Sequence, residues 1–249
     1  MQDAFVGAMK GALLARCPGV QIVDITHGVP PQAIRIGALR LASAAPYFPV
    51  GTIHLAVVDP GVGGPRRAVA MESRSQLFLG PDNGVLSLAA PLSSVGWRAV
   101  EVTNPAHRLA RVSDTFHGRD LFAPAAAHLA RGGALEDLGE PTDWIVELAL
   151  PQPARDGDVI RGVVLDVDRF GNLVTNICAQ DLAGRTVQQV SVRGLRIGEL
   201  STSYDASERV VAVIDSDDRL EIAMPGRSAA AEIVAGPDEP VEVRLRPLA

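Results

Sequence analysis

Thr52-Ile53-His54-Leu55-Ala56-Val57-Val58-Asp59 is a near-continuous apolar run of strand length that stops on an acid. Such a run suits a strand covered on both faces, as in a parallel sheet. Toward the N-terminus, Phe5 to Arg16 places Phe5, Met9, Leu13 and Leu14 on one helical face. A short strand is expected over Val20 to Ile25, after the Pro18-Gly19 break. Pro30-Pro31 then opens a second helix, in which Ile34, Leu39 and Leu41 bury among small alanines. Toward the C-terminus, strands are expected at Ala68 to Glu72, Leu77 to Leu79 and Arg98 to Val102, and a helix from Arg119 to Arg131. The alternation predicts a doubly wound, mostly parallel α/β domain over residues 1–150.

The character of the chain changes near Leu150. Residues 151–158, Pro-Gln-Pro-Ala-Arg-Asp-Gly-Asp, are rich in proline, glycine and charge and read as a linker. Beyond them come short β-rich runs at Val159 to Val167, Leu173 to Asn176, Val187 to Val192, Val210 to Ile214, Leu220 to Met224 and Val241 to Leu245. Their spacing predicts a small antiparallel β-barrel or sandwich over residues 159–249.

Hydrophobic residues make up 47 % and charged residues 21 % of the 249, as in an ordinary globular enzyme. The net charge of -6 argues against a non-specific nucleic-acid binder, which needs a basic face. No apolar run approaches the roughly 20 residues that span a bilayer, so no membrane partner is expected. Cys17 and Cys178 are the only cysteines and have neither zinc-site nor disulfide-framework spacing. A reducing, cytoplasmic location and a site without metal or cofactor are the expectations.

Asp59 stands at the carboxyl end of its strand, where open α/β sheets bind ligands. The loop Asp59-Pro-Gly-Val-Gly-Gly-Pro-Arg66-Arg67 adds glycines, which let backbone approach a ligand, and two arginines. A tight turn capped by Asp59, with its arginines in solvent, explains the same residues. The loop lacks both common phosphate-binding spacings. In Thr115-Phe-His117-Gly-Arg119-Asp120, a histidine beside a glycine at a helix start can reach into a cleft or merely cap backbone groups. His54 and His128 lie inside elements, His107 lies in a polar loop, and His27 has no evident partner. Asp166-Val-Asp168-Arg-Phe170-Gly-Asn172-Leu-Val-Thr175-Asn176 gathers acids, amides and an aromatic expected to be buried; an Asx-turn is its plain alternative.

Six stretches, in this order, carry a resemblance: Asp3-Ala-Phe-Val-Gly-Ala-Met-Lys-Gly11, Val23-Asp-Ile-Thr-His-Gly-Val-Pro-Pro-Gln32, Val58-Asp-Pro-Gly-Val-Gly63, Gly80-Pro-Asp-Asn-Gly84, Phe116-His-Gly-Arg-Asp120 and Asp168-Arg-Phe-Gly-Asn-Leu-Val-Thr-Asn-Ile177. Together they resemble the S-adenosyl-L-methionine hydroxide adenosyltransferases, hydrolases related to fluorinase and chlorinase. The resemblance implies an α/β domain, a C-terminal β-barrel and a homotrimer with sites between domains of neighbouring subunits. It implies attack of water on ribose C5′ of S-adenosyl-L-methionine, giving adenosine and L-methionine. The substrate is then the only small molecule required.

By the same resemblance, Asp59, Arg66 and His117 are the catalytic residues, and Asp3 and Asp168 meet the methionine ammonium. Asn172 matches an adenine-reading amide and Ser216 a residue at the methionine carboxylate. Glu221 and Met224 fall on a strand lining the adenine pocket, with Tyr204 stacking on the base. Members of the family begin with a strand ending in a Thr-Asp-Phe-Gly-like motif whose acid binds the ribose. That strand and acid are missing from this sequence, and Pro225-Gly-Arg-Ser-Ala229 replaces an Asn-x-Gly-Asn-Ala pattern. A halogenase making 5′-halo-5′-deoxyadenosine is the nearest alternative, but such enzymes carry other residues at His117-Gly118 and an inserted loop. A non-catalytic adenosine or S-adenosyl-L-methionine binder is a second; a nucleotide-dependent oxidoreductase lacks its fingerprint.

Overall fold

In the computed structural model, which describes residues 3–206 and 209–247, the chain divides into two compact units, Met1–Leu148 and Ala149–Ala249. The run from Thr52 forms β1 (Ile53–Leu55), and Ala56 continues its bonding through an N–H donated to the Leu79 carbonyl (3.0 Å). Four further strands complete the first sheet: β2 (Ala68–Ser73), β3 (Gln76–Pro81), β4 (Arg98–Glu101) and β5 (Pro141–Thr142), in the order β1-β3-β2-β4-β5.

This sheet is mixed, which corrects the expectation of a doubly wound, mostly parallel one. Only β1 and β3 are parallel; β3-β2, β2-β4 and β4-β5 are antiparallel. Arg74 and Ser75, both at positive φ (51° and 60°), make a two-residue hairpin between β2 and β3. The apolar runs misled because they report burial on both faces, not strand direction. Along β2, Ala68 and Ala70 enter one core while Val69 and Met71 enter the opposite one. The first core is closed by α3 (Ala123–Ala130) and the second by α2 (Ile34–Ala44), giving an α/β/α layering.

α1 (Phe5–Leu14) forms as its periodicity predicts, but none of its residues is fully buried. Phe5 remains 56 % exposed, leaning edge-on against Phe116 at 4.9 Å, and Leu13 packs on the α3 core. Val20 to Ile25 is not a strand, contrary to expectation. Ile22, Val23 and Ile25 are exposed, and among the described residues no strand pairs with this segment. β-character in the side chains does not make a strand where no partner supplies the ladder.

In the second unit β6 (Ala154–Asp156), β7 (Val159–Val167), β8 (Leu173–Cys178), β9 (Val187–Val192), β10 (Leu195–Ile197), β11 (Val211–Ile214), β12 (Arg219–Ala223) and β13 (Pro240–Leu245) make one antiparallel sheet. β6 falls inside the segment expected to be a linker and pairs with β7. The sheet curls around a main core holding Ile160, Leu173, Val190, Ile197, Ala212, Ile222 and Val243, with Val211, Val213 and Ala223 forming a smaller cluster. The order β10-β9-β13-β7-β8-β12-β11 leaves β10 and β11 at its ends, and the Ser201 N–H bridges toward the Ala212 carbonyl (2.8 Å). The result is nearly a barrel. A short helix, α4 (Ala229–Ile233), is capped by the Ser228 hydroxyl, which accepts from the Ala231 N–H. Among the described residues no helix is long and apolar enough to cross a membrane.

Candidate active site

Asp59 ends the extended chain after β1, and Asn83 donates its side-chain amide to the Val58 carbonyl (2.8 Å), pinning the backbone beside it. The following loop turns Arg66 back onto Asp59 in a forked pair: Nε to Oδ1 at 3.0 Å and Nη2 to Oδ2 at 2.5 Å. Both side chains are largely buried, 5 % exposed for Asp59 and 11 % for Arg66. The guanidinium lies 5.6 Å from the Phe122 ring centroid, and Nη2 also reaches Nδ1 of His117 at 2.7 Å. Three residues far apart in sequence thus form one polar chain. The plain alternative, arginine in solvent, does not hold for Arg66.

His117 is positioned by the start of the helical segment behind it. A π-turn (Gly118–Phe122) precedes α3, and its Asp120 is fully buried. Asp120 accepts from the Ser113 N–H (2.9 Å) and from Arg119 (2.6 Å), so it ties the 113–117 loop to the helix. Burial opposes its charge, but the Arg119 guanidinium and Ser113 N–H hold its carboxyl below the ordinary range. Arg119 is its neighbour in the sequence motif, but Ser113 lies outside it, so spacing alone does not reveal the tie.

An arginine donates only, so His117 Nδ1 must accept. The imidazole is then neutral, with its proton on Nε2. Burial first, and the Arg66 guanidinium second, hold its pKa below the usual 6.5. The group of three carries no net charge: Asp59 balances Arg66 and His117 adds none. A cationic substrate is therefore not repelled.

The second unit carries a separate polar cluster. Asp168 Oδ1 accepts from the N–H groups of Phe170 and Asn172 (2.8 Å each), the Asx-turn that the sequence allowed. Oδ2 accepts from Asn172 Nδ2 at 3.2 Å, and Nδ2 also donates to Glu221 Oε1 at 2.9 Å. Glu221 is hydrogen-bonded to the Tyr204 hydroxyl as well. Burial pushes Glu221 up to about 7, with Asp168 and Asp215 adding repulsion; burial and Glu221 push Tyr204 up to about 12. Asp168, Asn172, Glu221 and Tyr204 are therefore brought together. Phe170, expected to be buried, is 78 % exposed: the turn points it away from the core.

Of the other expected contact residues, none is hydrogen-bonded into either cluster among the described residues. Asp3 is exposed and accepts from the Phe5 N–H (2.9 Å) at the start of α1. Ser216 is exposed in the turn joining β11 to β12, and Met224 is half-buried just past β12. The remaining histidines have structural partners. His27 pairs with Asp24 (3.0 Å), a partner three residues away that the sequence reading overlooked. His54 is 3 % exposed and stacked on Phe78 at 4.8 Å, and burial lowers its pKa. Arg67 is likewise structural, bonding Asp82 (2.6 Å) and lying 3.7 Å over the Trp144 ring.

A buried carboxylate–guanidinium–imidazole chain at the end of a strand, in an α/β unit, is an arrangement suited to an enzyme that handles a polar small molecule. The chain belongs to the SAM hydroxide adenosyltransferase family: residues 1–139 match the model of its N-terminal domain and residues 162–242 that of its C-terminal domain. It is 39 % identical over 251 residues to the (R)-S-adenosyl-L-methionine hydrolase of Salinispora tropica, covering 98 % of this chain and 94 % of the relative. A fluorinase from an Actinoplanes species is 32 % identical over 208 residues, covering 72 % and 69 %. Among solved structures, an uncharacterized conserved protein from Thermotoga maritima superposes with a TM-score of 0.89 at 32 % identity, covering 98 % of this chain and 96 % of that one.

Proposed function

We infer that the chain hydrolyses S-adenosyl-L-methionine to adenosine and L-methionine. The observation that carries this reading is the Asp59–Arg66–His117 chain in a member of this family. Water adds to ribose C5′ as the C5′–S bond breaks, and the bonding pair returns to sulfur, leaving neutral methionine thioether. The protonated 5′-oxygen then loses its extra proton to solvent, leaving adenosine. Sulfonium is already an excellent leaving group, so the protein's task is to align one water and keep others out. His117 serves through Nε2–H, which positions that water, while Arg66 holds the ring and Asp59 balances the charge. Asp168, which the resemblance sets at the methionine ammonium, supplies negative charge suited to a cationic substrate. The proposal carries with it the homotrimer, and the contacts of Asp3, Asp168 and Ser216 to the methionine portion, that the family resemblance implies, together with the cytoplasmic location expected from the cysteines.

The direct test is to incubate the protein with S-adenosyl-L-methionine, with and without chloride, and separate the products. Adenosine and methionine are expected in both. Formation of 5′-chloro-5′-deoxyadenosine would assign the halogenase reading, and binding without turnover the non-catalytic one.

The protonation state of His117 sets a pH dependence. Its neutral form is the competent one, and its pKa lies below 6.5. Rate should therefore stay level at neutral pH and fall as pH drops through that lowered value, approaching about tenfold per pH unit. Below it, an imidazolium loses the bond from Arg66 and adds charge facing the sulfonium. The profile is best measured in Glu221→Gln, where the carboxyl raised to about 7 has been removed. An inflection above pH 7 in that variant would contradict the assignment.

A further inference from the structure

We propose that Glu221 is a positioning residue that, with Asp168, locks the Asn172 amide so that only its carbonyl oxygen is offered to the base, making the site selective for a 6-amino purine over a 6-oxo purine. The inference deepens the functional reading above and rests on Asn172 facing the base.

Asn172 is 8 % exposed, and its side-chain amide has two N–H donors. Both are taken. One goes to Asp168 Oδ2 at 3.2 Å and the other to Glu221 Oε1 at 2.9 Å. With Glu221 ionised both neighbours are acceptors, so turning the amide over would set its oxygen against two acceptors. The N–H side is therefore the only one that can face them. Oδ1 has no partner among the described residues and is left to accept.

Each carboxylate is held in turn. Asp168 is fixed by the two backbone N–H groups of its own turn. Glu221 is 4 % exposed, set on β12, and its other partner is the Tyr204 hydroxyl. β12 pairs with β8, where Glu221 stands opposite Val174, so the acid reaches Asn172 across the strand pair. An ionised Glu221 completes the lock; the titratable groups facing it are Asp168, Asp215 and Tyr204.

An amide that can only accept needs a donor on the base edge. The exocyclic amine of adenine supplies one, whereas the 6-oxo group of hypoxanthine presents a lone pair to a lone pair. A buried mismatch of this kind lowers affinity by about 10- to 100-fold.

The test is the ratio of adenosine to inosine affinity, measured by calorimetry well above pH 7, where Glu221 is ionised, on the wild type, Glu221→Leu and Glu221→Gln, with folding checked by thermal melting. Wild type should prefer adenosine by about 10-fold or more. Glu221→Leu frees the amide to turn, so the ratio should drop to within about threefold of one, whatever happens to overall affinity. Glu221→Gln can still accept from Nδ2 and should restore most of the preference, which a merely structural role would not require. A folded Glu221→Leu with the wild-type ratio overturns the proposal. So does a wild type that binds both nucleosides equally, or neither, and that result needs no variant. Failure of the functional reading shows separately, as absent turnover of S-adenosyl-L-methionine with the nucleoside preference intact.

Discussion

Replacing Arg66 with alanine should lower kcat for S-adenosyl-L-methionine hydrolysis by about 10²- to 10³-fold while changing KM by less than about threefold. Arg66 is the middle member of the chain: it forks onto Asp59 and donates to His117 Nδ1. Without it the imidazole loses the bond that selects its tautomer, and Nε2 no longer has to carry the proton. The water-holding donor is then present only part of the time and on a freely turning ring. KM changes little because Arg66 touches neither the base nor the methionine portion in the proposed mode. Alanine also strands the Asp59 carboxylate, 5 % exposed, and losing one partner of a buried pair costs about 3–5 kcal/mol. Arg66→Lys separates the two effects. It keeps the charge near Asp59 but has no planar fork, so it should recover much of the thermal stability and little of the rate. Steady-state kinetics beside thermal melts decide the matter. Full activity in both variants would remove Arg66 from the water site.

Gly63→Ala should be the second large effect, although the residue carries no chemistry. Gly63 sits in the loop between Asp59 and Arg66 at φ +74°, and a Cβ built there would lie 2.2 Å from the Asp114 carbonyl oxygen. Asp114 belongs to the loop that carries His117, so Gly63 is a point where the loops carrying Arg66 and His117 touch. The obstructing atom is backbone, which cannot swing aside as a side chain would. The loops must separate, and the 2.7 Å bond between Arg66 and His117 is stretched with them. The expected outcome is a fall in kcat of about tenfold or more with a stability loss of about 1–3 kcal/mol. Gly96→Ala is the matched control. It has the same φ, +74°, but no atom within 4 Å of the added carbon. It isolates backbone strain from the clash, about 1 kcal/mol, and should leave turnover unchanged. Equal kinetics for the two alanine variants would show that the loop contact has no part in catalysis.

The two clusters show what could be read before any fold was known. Asp59 was legible because an apolar run ended on it, and His117 because glycine and a helix start flanked it. Asp120 and Gly63 were not. Their importance comes from Ser113 and Asp114, backbone partners that no spacing rule connects to them. Likewise, Asp168-Arg-Phe-Gly-Asn172 read equally well as an Asx-turn or a ligand site. Both turn out to be compatible: the turn is what aims the Asn172 amide, and Glu221 arrives from another strand to hold it.

By itself the sequence indicated most of the strands and helices, where the chain would change character near Leu150, and which polar loops were candidates for a site. These follow from local side-chain periodicity and turn chemistry, which the chain carries with it. The tertiary structure alone decided that β2 and β3 run antiparallel, that Val20–Ile25 does not form a strand, and that Phe170 faces outward. It alone set the His117 tautomer and the facing of the Asn172 amide. Direction, pairing and proton position depend on which distant group stands opposite, and only the folded chain brings Arg66 to His117 and Glu221 to Asn172.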